Sequence, residues 1–169
     1  MKKYLLDTNI FIDAYDRYYR NDYFPTFWEK FAVILNDHVV IPKVVKEEII
    51  KSDWFHEWLD DNFQDAILNH RNYAEQWQTI LDFIQSSNLY KPVALSEQVR
   101  GWANDSLADP WIVAIAKEEG LIVVSDEVKV ANLGHGNLVK RATIPDICDR
   151  QGVRCIGRNE FFGEIGLSI

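Results

Sequence analysis

YLLDTNIFID, residues 4–13, joins a short apolar run to a helix-like run through Asp7, Thr8 and Asn9. The apolar run predicts a buried strand that ends at Asp7. Open α/β sheets bind their ligands at the carboxyl ends of their strands, so Asp7 is a candidate site residue that Asn9 could orient. Aspartate is also a common N-cap, and capping of the next helix explains Asp7 equally well at this point.

Strand-like and helix-like segments alternate along the rest of the chain. Further strands are predicted at 38–41, 121–125, 139–144 and 153–157, with helical segments between them. This alternation is typical of a parallel sheet covered by helices on both faces. We therefore predict an α/β fold, a three-layer α/β/α sandwich with a central parallel sheet. It forms one domain over residues 1–169, with a helical projection near 52–90.

The composition is that of an ordinary globular domain. The chain has 169 residues, 47% of them hydrophobic and 26% charged, which is enough for one substantial core. No apolar run approaches the roughly 18 residues of a membrane span, and no secretory signal begins the chain. The two cysteines, Cys148 and Cys155, form no C-x-x-C pair, which favours reduced thiols and a cytoplasmic protein.

The net charge of −8 argues against a general nucleic-acid binder. Four of the negative charges are carboxylates in apolar settings, and unpaired buried carboxylates are costly unless a cation neutralises them. We expect the metal-free cluster to repel RNA and a divalent cation to reverse that effect. Lys140 and Arg141 are among the bases that could add local positive charge.

Glu48 is the most informative of the later acids. On a helix that begins near Pro42, Val44 and Val45 share its face, whereas Glu47 points elsewhere. An acid on an apolar face is usually paired with a cation. The alternative is a boundary glutamate that is hydrogen bonded to backbone.

Asp109 precedes Pro110, and Asp-Pro is a strong helix-start signal that by itself favours a capping role. If Ser106 caps the helix instead, Asp109 lies in its first turn with the positive helix end behind it. Asp105, four residues earlier, is a weaker candidate neighbour. The acids after the third strand, Asp126 and Glu127, would face the same crevice, although turn acids are common.

Taken together, four segments resemble the ordered motifs of the PIN-domain nucleases. These are LLDTN (5–9), VKEEI (45–49), ADPWIVAIA (108–116) and SDE (125–127). The resemblance covers nearly the whole chain, and the tail at 141–157 is similar to a PIN subfamily known mainly as a domain of unknown function. The last motif departs from the family pattern, because Glu127 stands where an aspartate is usual and Asp126 adjoins it. Alignment with the family's T-x-D favours Glu127.

The resemblance implies an endoribonuclease that hydrolyses RNA phosphodiester bonds with Mg²⁺ or Mn²⁺, the hard cations that carboxylates prefer. The implied metal ligands and catalytic residues are Asp7, Glu48, Asp109 and Glu127. The implied supporting residues are Thr8, Asn9, Ser125, Asp126 and Asp105.

Many small PIN proteins are toxins of toxin–antitoxin pairs, so the resemblance also implies an antitoxin protein as partner. One alternative is a catalytically inactive PIN-like module that only binds RNA or protein. Another is a receiver-like protein with a single metal, which the lack of paired acids after the first strand disfavours. The aromatic residues at 54–58, 73–77 and 102–111 fit base stacking, a core, or a homodimer interface.

Overall fold

A four-stranded parallel sheet lies at the centre of the protein in the computed structural model, which describes all residues 1–169. The strands are β1 (Tyr4–Leu6), β2 (Val39–Val40), β3 (Ile122–Val124) and β4 (Cys155–Ile156). They are hydrogen bonded in the order β2-β1-β3-β4, and every neighbouring pair is parallel. Helices flank the sheet, so the three-layer α/β/α sandwich predicted from the alternation is confirmed.

The two central strands have no charged residue. Tyr4 pairs with Ile122 and Leu6 with Val124, and all three residues of β1 are buried. A strand with neighbours on both edges and helices on both faces has no solvated side, which explains its continuous apolar sequence.

The strand expected at 139–144 is absent. Val139 forms only an isolated bridge with Tyr90, because its backbone is hydrogen bonded to Leu89 and Lys91 rather than to the sheet.

Eight α-helices surround the sheet. They are α1 (Thr8–Asp13), α2 (Pro25–His38), α3 (Lys43–Glu48), α4 (Asp53–Asn62), α5 (Ala74–Ser86), α6 (Ala108–Glu119), α7 (Ile144–Gln151) and α8 (Arg158–Glu164). A π-helical turn at Ala14–Tyr18 extends α1. Gly120 ends α6 in the left-handed conformation, with φ of 67°. None of these helices is long and apolar enough to cross a membrane.

Aromatic side chains join α1, α2 and α4. The Phe11 ring lies 6.2 Å from that of Phe31 and 5.6 Å from that of Phe55, measured between centroids. Trp28 meets Trp58 edge-on at 4.9 Å. Rings in these arrangements attract each other beyond the area that they bury, so α4 is fixed firmly to α2.

A second group of helices packs around α6, whose residues are buried from Ala108 to Ala116 except for Asp109. Trp77 of α5 stacks on Trp111 of α6 with centroids 5.1 Å apart. The helical segment predicted near 52–90 is therefore present as α4 and α5, and both helices pack against the body of the domain rather than projecting freely.

A tight turn precedes α6 and presents Arg100. Gly101 N–H donates to the Ser96 carbonyl at 2.6 Å, and Trp102 N–H donates to the Ala94 carbonyl at 2.8 Å. Arg100 itself has φ of 52°, which few residues other than glycine adopt. A Cβ on Gly101 would lie 2.5 Å from the Ser96 nitrogen, so only glycine allows this close backbone approach.

We expect Gly101→Ala to lower the free energy of unfolding by about 1–3 kcal/mol, because backbone atoms must move to admit the methyl group. Gly163→Ala is the matched control, since a Cβ there meets nothing within 4 Å and the residue lies inside α8. Alanine is the better helix former, so the control should be neutral or stabilising. Urea unfolding measures both; equal stability of the two variants would contradict the crowding at Gly101.

Candidate functional site

The candidate site lies where β1 and β3 end. Asp7 follows β1, Ser125 follows β3, and the Ser125 hydroxyl donates to the Asp7 Oδ2 at 2.9 Å. The strand order sends the chain from β1 to β2 on one side, while β4 lies beyond β3 on the other. The carboxyl ends of β1 and β3 therefore flank the point of the sheet at which α/β proteins bind ligands.

Asp7 is a buried acid without a cation beside it. The residue is 3% exposed, and its side chain makes no capping hydrogen bond of ordinary geometry to α1, although the Asn9 backbone N–H lies close enough to lower the pKa of the carboxyl. Burial, followed by the charge of Glu127, raises the pKa of Asp7 to about 7, and the Ser125 hydroxyl partly opposes that rise. The charged carboxylate therefore lowers the stability of the fold, and a bound cation would remove that cost.

Asp109 is half-buried and is the second acid with a raised pKa. It lies in the first turn of α6, and burial raises its pKa well above the ordinary value. The charges of Asp7, Glu127 and Glu48 raise the pKa of Asp109 further, and Arg141 lowers it. Asp109 therefore lies within electrostatic reach of the other three acids expected from the sequence.

Glu48 is turned inward, whereas Glu47 is not. The Glu48 side chain is 15% exposed, and its Oε2 accepts from the Ala108 N–H at 2.7 Å and lies 3.7 Å from Arg100. Glu47 is 56% exposed and pairs with Lys43. The predicted helix phase is confirmed, and the backbone-bonded alternative also describes Glu48, because this carboxylate caps α6.

Glu127, rather than Asp126, faces the other acids. Glu127 accepts from the Ile144 N–H at 2.8 Å and from Arg141 at 3.0 Å, which places it at the start of α7. Asp126 is bound instead to the backbone and guanidinium of Arg158, at 2.8 and 3.2 Å.

The remaining supporting residues differ in position. Thr8 is buried beside Asp7, and its hydroxyl has no hydrogen-bond partner, whereas Asn9 is exposed. Asp105 is exposed and pairs with Arg71 at 3.4 Å, so the structure does not bring it to the other acids.

Asp146 is a buried acid that the sequence did not mark. It accepts from the Thr143 hydroxyl at 2.6 Å and from the Val130 N–H at 2.9 Å. These bonds tie the loop after β3 to the start of α7, which gives Asp146 a structural role. Its place in a run of ordinary loop and helix residues carries no signal of that role.

The donor set fits a hard divalent cation by its chemistry. All four acids offer carboxylate oxygens, which suit Mg²⁺ or Mn²⁺ better than softer metals. Asp7 is buried and Asp109 is half-buried, neither forms an ion pair, and the unpartnered Thr8 hydroxyl adjoins Asp7 in sequence. No three acidic, histidine or cysteine side chains lie close enough together to hold a metal ion between them, so the fit rests on the donors and not on a preformed cage.

A cavity of about 340 Å³ adjoins Asp109, and we call it the basic cavity. Its charged lining consists of Asp109 with Arg100, Lys140 and Arg141. The sequence suggested local positive charge at Lys140 and Arg141 but gave no sign of Arg100, which reaches the site only through the tight turn before α6.

A family model described as "Domain of unknown function (DUF4411)" matches residues 4–169, which is almost the entire chain. No curated protein matches this chain.

The raised pKa of Asp7 predicts a pH dependence of stability. A carboxyl whose pKa is higher in the folded protein stabilises it below the unfolded value near 3.8, and that contribution is lost as the pH rises through about 7. Asparagine carries no charge at any pH, so Asp7→Asn should not lose stability as the pH rises. The metal-free variant should therefore be more stable than wild type at about pH 8, by roughly 2–4 kcal/mol. Near pH 4 the two should be similar.

Urea unfolding in EDTA at about pH 4 and about pH 8 measures this difference. Asp105→Asn is the matched control, because the exposed Asp105 carboxylate should contribute within about 0.5 kcal/mol at either pH. An Asp7→Asn protein that is less stable than wild type at about pH 8 would show that the charged carboxylate is stabilising, contrary to the assignment.

Proposed function

The chain belongs to this family of unknown function, and because membership names no activity, we propose from the site that the protein is a metal-dependent endoribonuclease of the PIN type. It would hydrolyse RNA phosphodiester bonds with Mg²⁺ or Mn²⁺. The observation that carries the proposal is that Asp7 and Asp109, neither of which forms a salt bridge, each have a raised pKa to which neighbouring acids contribute, beside the ligand-binding edge of a parallel sheet.

Asp7 and Asp109 are the principal ligands in this proposal. Each has a raised pKa, so each binds protons more readily than an ordinary carboxylate, and a divalent cation would take the place of those protons. When bound, the cation supplies Lewis-acid activation of water and neutralises charge at the phosphate. The Ser125 hydroxyl fixes the orientation of Asp7, as partners of metal ligands commonly do.

Glu48 and Glu127 differ in how many of their carboxylate oxygens are free to bind a cation. Both polar contacts of Glu48 are made by Oε2, which leaves Oε1 for a ligand. Glu127 uses one oxygen for the Ile144 N–H and the other for Arg141. Glu48 is therefore the better placed third ligand, and Glu127 would bind a cation only after Arg141 releases it.

The capping contacts favour one alternative, a catalytically inactive PIN-like module that binds RNA or protein. In that case Glu48 and Glu127 serve only to hold α6 and α7 in place, each with an arginine beside it. Cleavage of RNA that depends on a divalent cation separates the enzyme from the inactive module.

A toxin role with an antitoxin partner and a cytoplasmic location is a further part of the proposal, and the resemblance to PIN toxins alone supports it. Arrest of growth by the expressed protein, and its absence in an Asp109→Asn variant, would be the corresponding test.

We expect Asp7→Asn and Asp109→Asn each to lower RNA cleavage by about a hundredfold or more, because each removes a charge that would stabilise the transition state through the cation. Asp105→Asn is the control, and it should cleave like wild type. EDTA should abolish cleavage, and added Mg²⁺ or Mn²⁺ should restore it. The measurement is the rate of cleavage of a labelled RNA.

Two results would contradict the proposal. One is equal cleavage by wild type and both site variants. The other is an undiminished rate in EDTA, for protein shown to be free of metal and of contaminating nuclease.

A second prediction from the proposed function distinguishes Glu48 from Glu47. Glu48→Gln should weaken Mn²⁺ binding by about tenfold, because a charged ligand is lost, whereas the exposed Glu47→Gln should leave it unchanged. Isothermal titration calorimetry with Mn²⁺ measures both. The reverse order of effects would place the cation away from the inward face of α3.

A further inference from the structure

The basic cavity is a local exception in an acidic protein. The chain carries a net charge of −8, yet three cationic side chains and a single acid line this cavity of about 340 Å³. They are Arg100, Lys140 and Arg141, around Asp109. A concentration of positive charge on one wall is the usual footprint of a phosphate-binding surface.

The cations come from two separate segments. Arg100 lies at the left-handed position of the tight turn before α6, whereas Lys140 and Arg141 lie just before α7. A residue with positive φ that is not glycine costs energy, and such residues are enriched at functional sites. The structure holds Arg100 there, and its guanidinium reaches the cavity.

The existing partners of the arginines occupy only part of each guanidinium group. The Arg100 side chain is 67% exposed and lies 3.7 Å from Glu48, and that of Arg141 is 75% exposed and lies 3.0 Å from Glu127. Each contact is made by one terminal nitrogen, Nη2, so the other N–H donors of both guanidinium groups remain free. Lys140 is exposed and in no ion pair. All three groups are therefore available to an anion, and a guanidinium binds phosphate with two parallel hydrogen bonds.

The rest of the cavity wall is apolar. It is formed by Val93, Ala94, Val99, Trp102, Leu107 and Ala142. A site for phosphate alone has no use for such a wall, whereas a nucleotide joins an anionic phosphate to a flat base with apolar faces. The volume lies near the lower end of ligand pockets, which leaves room for about one nucleotide.

We propose that the basic cavity is a subsite for one nucleotide of single-stranded RNA, with its phosphate on Arg100, Lys140 and Arg141 and its base against the apolar wall. The inference rests on the proposed function, because the cavity would bind the part of the RNA strand that lies next to the four acids. A base in a duplex is paired and stacked, so only a single strand can place one in the cavity.

The test is the affinity for a short fluorescein-labelled single-stranded RNA, measured by fluorescence anisotropy with Ca²⁺ in place of Mg²⁺. Electrophoresis checks that the probe is intact. Arg100→Gly and Lys140→Ala should each weaken binding by about tenfold, since each removes a charge-assisted contact to phosphate. Each should also lower the slope of log affinity against log salt by about one.

Two features of the design exclude a loss of folding and a general loss of positive charge as the cause of weaker RNA binding. Glycine adopts positive φ without strain, so Arg100→Gly should be at least as stable as wild type. Lys3→Ala is the control for general loss of charge, because Lys3 is exposed at the amino end of β1, on the edge of the sheet away from Asp7. Its affinity for the probe should equal that of wild type.

Two further probes test the nucleotide assignment. Duplex RNA of the same sequence, and a single strand without bases, should each bind at least about tenfold more weakly than the intact strand. Equal affinity for the strand without bases would overturn the base-binding wall, and equal affinity for the duplex would overturn the single-stranded path.

The outcome is distinguishable from failure of the proposed function. Wild-type affinity and salt slope in both Arg100→Gly and Lys140→Ala would overturn the subsite, even if the protein cleaves RNA. Binding that depends on these residues, without any metal-dependent cleavage, would support the subsite and contradict the nuclease.

Discussion

Asp7 and Ser125 are joined by a hydrogen bond of 2.9 Å, and the site is organised around that contact. The bond forms because Leu6 and Val124 are paired in parallel strands, so the next residue of each strand leaves the sheet at the same edge. The serine then fixes the orientation of a carboxylate that burial has separated from water. The stable packing of β1 on β3 thus holds in place an acid that, without a cation, is unfavourable for the fold.

The acids near this contact also determine where the helices begin. Glu48 caps α6 through the Ala108 N–H, and Glu127 caps α7 through the Ile144 N–H. Each cap puts the positive end of a helix toward the acids, which partly offsets their mutual repulsion. One set of carboxylates therefore serves two purposes, since it fixes the surrounding helices and forms the negative centre that those helices surround.

The spacing of apolar residues was sufficient to predict the central strands and the orientation of Glu48. The apolar runs identified β1 and β3, and the positions of Val44 and Val45 placed Glu48 inward. It was insufficient at Val139, whose backbone bonds to a segment nearly fifty residues earlier, and at Arg100, whose place depends on the close approach of Gly101 to Ser96. Contacts between distant parts of the chain decide both cases, and no spacing in the sequence encodes them.

Counting charges from the sequence leaves out the partners of the site's acids. The count treats four carboxylates as four bare negative charges that repel RNA. In the structure, Glu48 and Glu127 each have an arginine beside them, and the pKa of Asp7 is raised to about 7 by burial and neighbouring charge. Two of the four acids are therefore paired with a cation, and Asp7 is buried rather than facing the solvent. Because the same arginines line the basic cavity, an RNA strand meets positive charge beside the acids, although the whole protein is acidic.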